Sequence, residues 1–126
     1  MPIRAALLLL SFAAAPALAA APRPATVIVL SNFDFKPSVV AIRSGVPTAL
    51  GLRNASGSNH SFSAPALFAS ARLDGRTAAL VHNGRIEVPA RSEVDVSFTA
   101  APGSYRFKCT HTFHAMLGMT GTIVAR

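Results

Sequence analysis

Apolar residues recur at every second position along much of the chain. Val94, Val96 and Phe98 alternate with Glu93, Asp95 and Ser97, so one face of this extended segment is greasy and the other polar. That is the pattern of a half-buried strand. Similar alternating or β-branched runs occupy residues 26–30, 38–42, 48–52, 79–81, 85–88, 104–108 and 120–124. Pro37, Gly45 and Pro47 punctuate the early runs, and Asn83-Gly84 predicts a two-residue hairpin between two of the later ones. Residues 64–73 alone look helical, and Pro65 and Asp74-Gly75 confine them to about two turns. Seven or eight short strands separated by turn signals predict an all-β fold, a Greek-key β-sandwich.

The first residues do not follow this pattern. Arg4 precedes an almost unbroken Ala/Leu run from Ala5 to Ala21, interrupted by Ser11, Phe12 and Pro16 and closing on small residues. One positive charge, an apolar stretch and a small-residue finish are the layout of a secretory signal peptide. The run is short for a membrane anchor, and no basic stop-transfer cluster follows it closely. The expected organisation is therefore a signal peptide over residues 1–21 and one domain over residues 22–126. The mature protein would be exported, into the periplasm or beyond, without a membrane anchor. A domain of that length supports one core and no large enzyme scaffold.

Charge and cysteine content narrow the function. Twelve Lys and Arg against five Asp and Glu give a net charge of +7. An exported protein does not ordinarily meet nucleic acid, so this excess suggests an acidic partner surface or an anionic membrane face. Cys109 is the only cysteine. It forms no intramolecular disulfide, and no cysteine lies near the cleavage site to carry a lipid. A lone thiol in an oxidising compartment needs burial or a bound partner.

The chemistry-bearing residues cluster around that thiol. Residues 109–119 read Cys-Thr-His-Thr-Phe-His-Ala-Met-Leu-Gly-Met, on a connection between two predicted strands, and His60 stands far upstream. A copper ion alternating between Cu(I) and Cu(II) is served by a thiolate and two imidazoles in plane, with a thioether as a weak axial contact. Cys109-x4-His114-x4-Met119 with a remote His60 meets that demand. His111 is a competing donor, but a Cys-x-His pair needs a tighter turn than a strand-end loop comfortably makes. Met116, two residues after His114, reads as an apolar surface residue beside the metal.

The chain from Phe33 to Arg126 resembles the cupredoxins, the small blue-copper proteins that include plastocyanin, azurin, pseudoazurin and auracyanin. The resemblance is carried by Phe35-Lys36-Pro37-Ser38-Val39-Val40-Ala41-Ile42, Gly45-Val46-Pro47-Thr48, Asn54 and His60-Ser61-Phe62. Its second block is Gly103-Ser104-Tyr105-Arg106-Phe107-Lys108-Cys109, followed by His114, Gly118-Met119 and Gly121-Thr122-Ile123. It implies a single copper ion with His60, Cys109 and His114 as equatorial ligands and Met119 as the axial one. It also implies single-electron transfer through the edge of the loop histidine.

Phe113, Ala115, Met116 and Leu117 would form an apolar rim for short-lived contact with a redox protein, steered by the outlying basic charge. Either Ser61 or Asn59 would offer a hydrogen bond to the Cys109 sulfur. His82, beside the hairpin, is expected to be exposed and without a role. The formal glycosylation sequons at Asn54 and Asn59 are discounted.

Enzymatic readings fare poorly. A dinuclear copper site needs a second loop thiolate, and Lys108 and Thr110 occupy the positions flanking Cys109 where a multicopper oxidase carries histidines. A structural zinc site would need more closely spaced donors. A thiol nucleophile would lack an evident oxyanion hole or orienting carboxylate. The expected protein is a monomeric electron carrier, not an enzyme. The competing reading is a periplasmic protein that stores or delivers copper.

Overall fold

The computed structural model describes residues 11–16, 24–111 and 117–126. Most of the predicted signal segment therefore lies outside the described residues, as do His114, Phe113, Ala115 and Met116. Among the described residues no helix is long and apolar enough to cross a membrane.

The strands β1 (Thr26–Ser31), β2 (Asp34–Lys36), β3 (Val39–Ile42), β4 (Thr48–Asn54) and β5 (His60–Ser63) precede a short helix, α1 (Pro65–Ser70). After it come β6 (Arg72–Leu73), a second helix α2 (Gly75–Leu80), and β7 (Arg85–Val88), β8 (Glu93–Thr99), β9 (Gly103–Lys108) and β10 (Thr120–Ala125). They form two five-stranded sheets, ordered β2-β1-β4-β8-β6 and β3-β10-β9-β5-β7. The predicted β-sandwich is what the chain forms. Both sheets are mixed, because β1 runs parallel to β4 and β3 parallel to β10. The expected seven or eight strands become ten through three short additions, while one expected strand is lost to a helix. Between β2 and β3 the chain passes from one sheet to the other around Pro37, where no N–H is available to a ladder.

The core fills the space between the sheets. Ile28 and Leu30 of β1, Leu50 and Leu52 of β4, and Val96 and Phe98 of β8 face Val40, Phe62, Phe107 and Ile123 from the opposite sheet. Phe107 belongs to an aromatic cluster: its ring centroid lies 5.0 Å from that of Phe35, edge-on at 90°, and 4.8 Å from the tilted ring of Phe62. Edge-on contacts of this kind add attraction beyond the area they bury.

Two local expectations change. The 79–81 run is not a strand; it is the end of α2 and its C-cap, Val81. Asp74-Gly75, expected to stop a helix, instead starts one, because the Asp74 side chain accepts the Thr77 backbone N–H at 2.7 Å. Thr77 is buried, and its hydroxyl accepts the Ser97 N–H at 2.8 Å, pinning α2 to β8. The Asn83-Gly84 turn is present, with positive φ at both residues (51° and 73°) as a type I′ turn requires. Only the isolated His82–Arg85 bridge precedes β7 across it.

Asp74 gives a prediction for stability. The Thr77 backbone N–H, and then the Thr77 side chain, hold its carboxyl below the ordinary aspartate value. A depressed folded value means the stabilisation is complete above the ordinary aspartate range and is lost as pH falls through the lower folded value. Asp74→Ala should lower stability near neutral pH by about 0.5–2 kcal/mol, read from the urea midpoint. Asp74→Asn keeps an accepting oxygen, so it should remove mainly the acid-side dependence.

Candidate metal centre

The centre forms where β5 and β9 end at the same edge of the core. Side chains two apart on a strand share a face. His60 therefore follows Phe62 inward on β5, and Cys109 follows Phe107 inward just past β9. The β9–β10 ladder pairs Lys108 with Thr120, and one step further the Cys109 N–H donates to the Met119 carbonyl at 3.1 Å. Cys109 and Met119 thus stand opposite each other at the mouth of the ladder, as a cross-strand pair on one face. His60, Cys109 and Met119 are each 0% exposed.

His60 Nδ1 lies 3.9 Å from Cys109 Sγ. A metal–sulfur bond of about 2.3 Å and a metal–nitrogen bond of about 2.0 Å at a trigonal angle separate their donors by roughly 3.8 Å. The pair therefore fits one metal ion. Thiolate, imidazole and thioether are also the donor set that suits copper. His114, the third strong donor expected from sequence, lies outside the described residues. Among the described residues no group of three His, Cys, Asp or Glu side chains converges.

The surroundings of the sulfur decide between Ser61 and Asn59. The Ser61 backbone N–H donates to Cys109 Sγ at 3.4 Å, and the Ser61 hydroxyl lies 3.8 Å from it. Asn59 turns away, its side-chain oxygen accepting the Ala90 N–H at 2.9 Å. Strands β5 and β9 pair directly only at Ser63–Lys108. Beyond that point the Ser61 hydroxyl bridges them, 2.8 Å from Thr110 Oγ1 and accepting the Thr110 N–H at 2.8 Å. Ser61→Ala removes the bridge and the acceptor of a partly buried N–H. A loss of about 1–2 kcal/mol, seen as a lower denaturant midpoint with an unchanged slope, is expected.

The other ring nitrogen of His60, Nε2, lies 2.9 Å from Ser56 Oγ, and Ser56 is in turn 2.8 Å from Asn54 Oδ1. Neither Ser56 nor Asn54 stood out in the sequence as part of the site: Asn54 figured there only in the family resemblance and in a formal sequon, and Ser56 had no assigned role. Asn54 is 2% exposed and its amide nitrogen faces three carbonyls, so it offers a glycan no access. His111 points elsewhere. Its Nε2 meets Glu87 Oε2 at 3.0 Å on the outer face of β7, and Glu87 also pairs with Arg85 at 3.5 Å. Leu117, the described member of the expected apolar rim, is 58% exposed.

Residues 3–125 match the cupredoxin-like domain family. The chain belongs to that family. Among solved structures, this cupredoxin is similar to sodium-dithionite-reduced auracyanin from the photosynthetic bacterium Roseiflexus castenholzii. That match has 16% identity and a TM-score of 0.60, and covers 80% of this chain and 95% of the other. It is likewise similar to auracyanin B, at 19% identity and a TM-score of 0.57, covering 85% of this chain and 93% of that one. At these identities the likeness speaks to the fold. No curated protein matches the chain.

Proposed function

We propose that this cupredoxin is an exported electron carrier that binds one copper ion through His60, Cys109, His114 and Met119. Its physiological partner would be a redox protein met transiently, with the carrier acting as a monomer. The observation that carries the reading is the fully buried His60–Cys109 pair, with Nδ1 and Sγ 3.9 Å apart and Met119 directly across the ladder. Cys109-x4-His114 spacing supplies the remaining strong donor, and the engagement of His111 with Glu87 favours leaving His111 out.

Bound copper supplies a one-electron couple between Cu(I) and Cu(II). The protein's own groups shape what that couple does. The Ser61 N–H draws electron density from Sγ and so favours the reduced state. Burial of all three described donors shields the sulfur from water and would keep the same side chains in place in both oxidation states. A mobile or exposed site would reorganise at each transfer; one built on two strand ends does not. The exposed Leu117 offers an apolar contact, and the excess of Lys and Arg over Asp and Glu favours encounter with an acidic surface.

The test is a titration of the protein from residue 22 onward with Cu(II), followed by visible absorption. An intense blue or green band that saturates at equimolar copper, bleaches with reductant and returns with oxidant is the expected result. A colourless protein would overturn the proposal. A band that does not survive one reductive cycle in the presence of a chelator would point to copper delivery instead.

A further inference from the structure

We infer that Ser56 is a positioning residue, which together with Asn54 holds His60 in the tautomer protonated at Nε2, leaving the Nδ1 lone pair toward Cys109. The inference rests on the copper reading for its purpose, but not for its chemistry. That chemistry follows from counting protons along a buried chain of hydrogen bonds. The amide nitrogen of Asn54 lies 2.7 Å from the Ser58 carbonyl, 2.9 Å from that of Val88 and 3.1 Å from that of Pro89. Carbonyl oxygens only accept, so the NH2 end of Asn54 must face them and Oδ1 must face the other way.

On that side Oδ1 accepts the Ser56 backbone N–H at 2.9 Å and lies 2.8 Å from Ser56 Oγ. An amide oxygen has no proton to give. A hydroxyl proton turned to Nε2 instead would leave Oγ and Oδ1 facing lone pair to lone pair at 2.8 Å, so the Ser56 hydroxyl proton points to the oxygen. The other oxygen near the hydroxyl, the Ser58 carbonyl at 3.1 Å, is also a pure acceptor. Whichever oxygen takes the single hydroxyl proton, only lone pairs remain on Oγ for its other neighbours. One neighbour is the Ser58 N–H at 3.2 Å, a donor. The other is His60 Nε2 at 2.9 Å, which must therefore donate as well. With its proton on Nε2, neutral His60 carries its lone pair on Nδ1, the atom 3.9 Å from Sγ. The ring is thereby prepared for a metal before the metal arrives, in the way outer hydrogen bonds orient histidine ligands generally.

The tautomer can be read in the metal-free protein by long-range proton–nitrogen NMR on the His60 ring. The wild type is expected to show the Nε2–H form alone. Ser56→Ala should admit a measurable fraction of Nδ1–H, and Ser56→Thr, which keeps the hydroxyl, should restore the wild-type pattern. Should Ser56→Ala fail to fold, Ser56→Cys keeps the size with a weaker acceptor and should give a smaller shift in the same direction. A wild-type ring protonated at Nδ1, or a pattern unmoved in the folded variants, would overturn the inference. In copper-loaded samples, transfer of Cu(I) to a chelator should be about 10–100-fold faster in Ser56→Ala and normal in Ser56→Thr. Failure of the wild type to bind copper would sink the electron-carrier proposal and leave the tautomer result standing.

Discussion

Copper added to the Cys109→Ser protein is expected to produce no intense visible band, although the fold should survive. The substitution exchanges one buried atom. A serine oxygen at the same place can still accept the Ser61 N–H that now reaches Sγ at 3.4 Å. Cys109 contributes little area to the core beside Phe107 and Met119, so the metal-free variant should unfold within a few degrees of the wild type. What disappears is the thiolate, the only soft anionic donor available from the chain, since no other cysteine exists.

A serine hydroxyl stays protonated near neutral pH, so the charge-transfer band has no origin. Affinity should fall by more than about 100-fold, beyond the range for loss of an outer hydrogen bond. Thermal unfolding gives a second readout. Copper at about 1,000 times its dissociation constant stabilises a folded protein by about 4 kcal/mol, a gain the wild type should show and the variant should lack at the same concentration. An intense band retained in the variant would remove Cys109 from the site.

The candidate site was easier to see in the sequence than the strand that carries His60. The Cys109, His114 and Met119 spacing is legible because three candidate donors lie on one connection, and the chemistry of a thiolate with imidazole and thioether is distinctive. The strand containing His60 is not. All four residues of β5 are buried, two of them serines, so neither alternation nor hydrophobicity marks it. Its strand character comes from pairing with β7 and from the Ser61 bridge to β9, which are contacts between distant segments.

The misreading of residues 79–81 has the opposite cause. Ala79-Leu80-Val81 is locally ambiguous, and the deciding feature lies upstream at Asp74, whose side chain can end one element or begin the next. The Asn54–Ser56 relay was invisible for a third reason. Buried polar residues near a ligand look like any loop until the fold shows which nitrogen they reach. The long alternating strands were legible throughout, because burial of one face is a constraint each residue records locally. Val94, Val96 and Phe98 all turn toward the core, as their spacing required.

Gly121→Ala is expected to be the most destabilising glycine-to-alanine change in the described structure, and to disturb the candidate metal centre at a distance. Gly121 pairs with Phe107 across β10 and β9, and the Phe107 ring lies over the space where a β-carbon would go. A methyl there would run into the edge of that ring and would also sit 2.6 Å from the Ser38 carbonyl. Neither neighbour can retreat. The ring is held between Phe35 and Phe62, and the Ser38 carbonyl accepts the Thr122 N–H at 2.8 Å.

Overpacking a closed core ordinarily costs 1–3 kcal/mol, and contact with fixed backbone places this site at about 3 kcal/mol or more. For a domain of this size that corresponds to a fall in melting temperature of roughly 10 °C or more. Phe107 lies two residues before Cys109, and Gly121 two after Met119, so displacement of the ring pulls on both ends of the ladder that opposes those donors. The variant should therefore bind copper more weakly even below its melting temperature. Truncating the ring should relieve only the side-chain part of the clash. In the double variant Gly121→Ala/Phe107→Ala, the total loss should be smaller than the sum of the two single losses, by an amount measurable in a double-mutant cycle. Strict additivity would show that Phe107 is not what excludes a side chain at position 121.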